Sequence, residues 1–166
     1  EISVIVAPVV VMAVGQLAGG LAWLTISGED APDLIATAPI SAFTRLWAKV
    51  LSVLTIIAAI VLPISLGLAL ISLWGAVITA AGAMTAAASA VLVQLWFRAQ
   101  AKRTTFRRRQ VASKASTLAE AAASIACAAG TALVAAASPL AILPVFLLMS
   151  VLGISWSIRP KHSAGA

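Results

Sequence analysis

Few side chains in this 166-residue chain could carry chemistry, and the charged ones are grouped. Glu29, Asp30 and Asp33 stand together in "SGEDAPDLI", where acids at the start of a short helix are favoured by its unpaired N–H groups and positive dipole end. Glu120, in "STLAEAAA", is the one acid inside an apolar run. Two readings stand for it: with Thr117 it fits a capping box near the interface, or it carries a proton inside the membrane. Gln16 reads either as a bond to a neighbouring helix or as a substrate ligand. Cys127 is the single cysteine, forms no disulfide within the chain, and reads as a small apolar packer. His162 has no second ligand at metal-binding spacing, which argues against a metal site. No run fits the phosphate-cradling G-x-x-x-x-G-K-[ST] pattern, and no Ser/His/Asp set, intramembrane carboxylate pair or Cys/His cluster is present. The residues predict no enzyme and no cofactor. What remains is a mechanical role.

The elements that must position these groups are membrane helices. With 62% hydrophobic and 10% charged residues and a mean hydropathy of +1.10, the composition is that of an integral membrane protein. A helix rising 1.5 Å per residue needs about 20 apolar residues to cross the hydrocarbon layer. Five runs meet that length, at about 2–24, 49–72, 75–97, 117–137 and 140–158. The predicted fold is an all-α polytopic transmembrane bundle, one domain over 1–166, with a short cytoplasmic helix of coupling type. Pro8 and Pro63 should bend their spans. "SLWGA", around Ser72 to Ala76, should form a hairpin, and "SP" at Ser138 and Pro139 another. Small residues four apart predict close helix packing at Gly15 and Gly19, at Gly82 and Ala86, and at Ala126 and Gly130. Val91, Leu92 and Leu95 are expected to meet lipid, and the alanine-rich fourth span to be the one enclosed by others.

Charge sets the orientation. The net charge of +6 is concentrated in Arg98, Lys102, Arg103, Arg107, Arg108, Arg109 and Lys114, with no acid among them. Such a block predicts contact with anionic lipid at a cytoplasmic loop rather than with nucleic acid. Positive-inside counting places 25–48, 98–116 and 159–166 in the cytoplasm, and the turns near Trp74 and Pro139 outside. All five tryptophans, Trp23, Trp47, Trp74, Trp96 and Trp156, then fall near span ends, where amphipathic rings prefer the headgroup layer.

The segment 27–51, "SGEDAPDLIATAPISAFTRLWAKVL", is the one polar interruption with internal design. Pro32 suits a first helical position, Leu34 and Ile35 supply an apolar face, Pro39 ends the short helix, and Ser41 caps the next one. The acidic "GED" lead-in, short apolar helix, "ATAPIS" turn and following "RLWAKVL" resemble the first intracellular loop of export-class permeases of ATP-binding-cassette (ABC) transporters. That resemblance implies a membrane subunit coupling a partner ABC ATPase to substrate movement, with Glu29, Asp30, Asp33, Leu34 and Ile35 contacting the ATPase. It also implies a homo- or hetero-dimer of permease subunits, in contact with membrane lipid, in a bacterial inner membrane. Span, loop, two spans, basic loop and two spans match such a permease without its first helix. The start at Glu1 rather than Met agrees with an N-terminally truncated fragment. One departure is plain: such permeases commonly carry re-entrant outer helices between their last two spans, where this chain has only "SP". Two other classes fit the same residues, a non-ATP-driven membrane scaffold or assembly protein and a proton-coupled carrier.

Overall fold

In hydrocarbon each backbone N–H and C=O must find its partner within its own segment, so long apolar runs become helices. The computed structural model describes residues 2–27, 41–97 and 109–158. Helix α1 spans Ile2–Ser27, α2 Ala42–Ala69, α3 Leu73–Trp96, α4 Arg109–Ala135 and α5 Ile142–Ile158, with a 3₁₀ turn at Pro139–Ala141 before α5. All five helices are long and apolar enough to cross a membrane, and no strand occurs among the described residues. The chain is an all-α bundle of membrane-spanning helices.

Three capping devices set the boundaries. The Ser41 hydroxyl accepts the Thr44 amide at 3.1 Å and opens α2. The Ser72 hydroxyl accepts the Gly75 amide at 3.1 Å and opens α3. The hairpin turn is therefore Leu70–Ser72, and Trp74 sits in the first turn of α3 rather than in a loop at "SLWGA". At the other hairpin, the amides of Ala137 and Ser138 donate to the carbonyls of Val134 and Leu133 at 3.0 and 2.9 Å, the two bonds of a Schellman cap. Ala137 holds the left-handed position of that cap, with φ 51°, where glycine is the usual residue.

The helix starts bear directly on the sequence expectation. The second helix begins at the Ser41 cap, as expected, and carries Arg45, Trp47 and Lys49 in its first turns, continuous with the span expected at about 49–72. The fourth begins at Arg109, so Thr117 lies well inside α4 and no helix start exists there for a capping box. Pro8 and Pro63 lie inside α1 and α2, where the sequence places them.

Packing follows from contacts between named residues. Gly15 meets Ala86 on α3 and Ser124 on α4, and Gly19 meets Glu120 on α4. Gly82 of α3 meets Val11 of α1 and Thr131 of α4. The register makes α1 and α3 parallel, and α4 antiparallel to both. With the tight hairpins at 70–72 and 136–138, the C-terminal ends of α1, α3 and α5 and the N-terminal ends of α2 and α4 share one side of the bundle. Helix α3 touches all four others, α2 touches only α1 and α3, and α5 touches only α3 and α4. The enclosed helix is thus the third, not the fourth: α3 buries Ala76, Ala83, Ala86, Ala87 and Ala90, and also Val91, which was expected to face lipid. Leu92 is exposed as expected, while Leu95 packs partly buried against the core. All five tryptophans lie near helix ends, and Phe43 and Trp47 meet edge to face at 5.9 Å.

Candidate functional site

The seam where α1, α3 and α4 meet is built in layers. In the deepest, Gly82 lies against Val11 and Thr131. Next, Gly15 receives the Ser124 side chain: a Cβ added at Gly15 would stand 3.0 Å from Ser124 Cβ and 3.3 Å from Ala86 Cβ. One turn nearer the basic end, Gly19 receives the Glu120 carboxyl, with Glu120 Cδ 3.1 Å from where a Cβ would be. On the far side of that carboxyl, Gln94 Nε2 of α3 donates to Glu120 Oε1. Glycine is needed at these positions for space alone, because two helices without a hydrophobic drive between them associate through close backbone approach.

Four buried hydroxyls of the bundle turn back on their own helix. Thr79, Ser89, Thr131 and Ser155 each donate to the carbonyl four residues earlier at 2.7 Å. Among the described residues, the buried hydroxyls of Ser65 and Ser124 have no hydrogen-bond partner. Ser124 is 1% exposed and lies one helical turn from Glu120 on the same face of α4. Glu120 and Gln94 are each 7% exposed. The result is a carboxyl, an amide and an open hydroxyl enclosed by glycine and alanine. Glu120 is therefore neither a helix cap nor solvated; it is buried where three helices meet.

The other sequence candidates divide cleanly. Glu29, Asp30, Asp33, Leu34 and Ile35, and Arg98, Lys102, Arg103, Arg107 and Arg108, lie outside the described residues, as does His162. Arg109 is the first residue of α4, and Lys114 is exposed near the same end. Of the packing residues, Gly15, Gly19, Gly82 and Ala86 line the central seam, and Ala126 is buried. Gly130 faces α5 instead, where an added Cβ would make an ordinary 3.5 Å contact with Pro144. Gln16 is exposed on the outer face of α1, so it makes no part of this seam. Cys127 is buried in the apolar core. No group of three or more His, Cys, Asp or Glu side chains that could hold a metal occurs among the described residues.

Sequence reasoning passed over Gln94 and Ser124. A lone Gln in "VLVQLW" was the available signal, since an amide in an apolar span needs a partner. Its partner became visible only once α3 and α4 were placed antiparallel. Compared with family models, curated proteins and solved structures, the chain matches none.

Proposed function

We propose that this chain is the membrane-spanning subunit of an exporter driven by a separate ABC ATPase, residing in a bacterial inner membrane. The supporting observation is mechanical. The segment 28–40, which carries the "GED…ATAPIS" resemblance, joins α1, locked by glycine into the central seam, to α2, which packs only on α1 and α3. A protein pulling on that segment acts between an anchored helix and a peripheral one. Helix α2 begins immediately beyond the segment at the Ser41 cap and continues for 28 residues, so displacement at its start is carried through the bilayer. All described basic residues lie at the same end of the bundle, in keeping with a cytoplasmic face there.

The test is purification of the chain from mild detergent with its bound proteins, followed by substitution of Asp33 and Leu34. A nucleotide-binding ATPase should co-purify, and the double substitution should leave ATP hydrolysis running while export falls. Co-purification of a protein without nucleotide-binding activity favours the scaffold reading, and undiminished coupling in the variant removes the assignment of segment 28–40.

A further inference from the structure

We propose that Glu120, Gln94 and Ser124 form a proton-binding site in the α1–α3–α4 seam, and that the closed seam holds the protonated carboxyl. The site goes beyond the exporter reading and does not depend on it.

Three observations carry it. First, the carboxyl is placed, not merely tolerated: Gly19 provides the space for Oε2, and Gln94 donates to Oε1. Second, no opposing charge faces it among the described residues. Helix α1 has no charged residue from Ile2 to Ser27, α3 none from Leu73 to Trp96 and α5 none from Ile142 to Ile158. Helix α2, with Arg45 and Lys49, does not contact α4. On α4 itself Arg109 and the exposed Lys114 lie toward the helix start, and the thiol of Cys127 lies two turns further in. An ionised carboxylate in such surroundings has one described donor, against the several that a buried anion requires. Third, Ser124 is a buried hydroxyl with donor and acceptor capacity unused, one turn deeper along the same helix face. It lines the deeper side of the acid with an unpartnered polar atom that carries no charge.

The step is a simple protonation. A carboxylate lone pair takes a proton entering from the basic end of the bundle, which lies about 9 Å from Glu120 along α4, at 1.5 Å per residue from Lys114. Loss of that proton leaves a full negative charge between Gly19 and Gln94, and the seam must then admit water or separate. Proton occupancy and helix packing are thereby linked.

Two measurements on the full chain in lipid nanodiscs test this. Dicyclohexylcarbodiimide, an apolar reagent, reacts with a protonated carboxyl: the acid oxygen bonds to the central carbon while the proton passes to a ring-bearing nitrogen. Peptide mass spectrometry should find Glu120 modified, with labelling falling about tenfold per pH unit beyond its midpoint, as for any single titrating group. Gln94→Leu removes the described donor to the carboxyl and should displace that midpoint from the native one. Absence of labelling, or labelling unchanged by pH, overturns the proposal. Thermal unfolding provides the second readout. The native chain should lose stability as pH rises through the labelling midpoint, whereas Glu120→Gln, a neutral mimic of the protonated acid, should not. A Glu120→Gln variant that keeps the native pH dependence would equally sink it.

Discussion

The central helices α1, α3 and α4 and the flanking helices α2 and α5 solve the same problem with opposite materials. Over half of the α3 spanning window is buried, 56%, against 17% for α2 and 11% for α5. The centre is made mostly of Gly, Ala, Ser and Thr with some Val, such as Val11, Val14 and Val93, while the flanks expose Leu62, Leu66, Phe146, Leu147 and Met149. In water this would be inverted, with bulky side chains inside. Lipid tails already solvate Leu and Phe, so what holds the centre is the number of atoms brought into contact when backbones come close. Small side chains are what let the central backbones come close.

Substitutions that exchange these materials should fall in a defined order. Gly15→Leu inserts a side chain where Ser124 Cβ already stands, so α1 and α4 must separate. Overpacking and the lost contacts should together cost about 3 kcal/mol or more, read as a collapse of the thermal midpoint in detergent. Gly82→Ala meets the Thr131 hydroxyl, held by the Cys127 carbonyl, and a methyl of Val11, and should cost about 1–3 kcal/mol in the same assay. Two changes should stabilise. Ala137→Gly relieves the left-handed backbone of the Schellman cap, and Gly20→Ala adds a methyl to a helix where nothing lies within 4 Å; each should gain about 0.5–1 kcal/mol. Smallest of all, Phe146→Ala on the exposed face of α5 should shift stability by no more than about 0.5 kcal/mol. A flank substitution that destabilises as much as Gly82→Ala would show that the outer helices carry packing of their own.

The spans were legible because their apolar length is a local property. Gly15 and Gly19 were legible for the same reason, as spacing four along one helix names a face without naming its partner. Helix starts were less so. The Ser41 start of α2 was legible as a cap, whereas "SLWGA" put Trp74 in a turn and "STLAE" imitated a helix start well inside α4. Burial was misjudged for α4 because alanine content measures how closely a helix can be approached, whereas enclosure depends on how many neighbours arrive, and α3 has four. The candidate site was half visible. Glu120 stood out as an acid in an apolar run, but its capping-box pattern competed with the correct placement, and only the Arg109 start of α4 settles that competition. Gln94 and Ser124 belong to the site through register between helices, which no window along one helix contains.

The Gly15–Ser124 contact also has a consequence in time. Ribosomes supply roughly 5–20 residues per second, so α1 must wait on the order of ten seconds in the bilayer before α4 emerges to fill its glycine notches. During that interval its grooved side is open to lipid or to any passing helix. Biogenesis of this protein is thus a matter of keeping an early segment uncommitted until a late one reaches it.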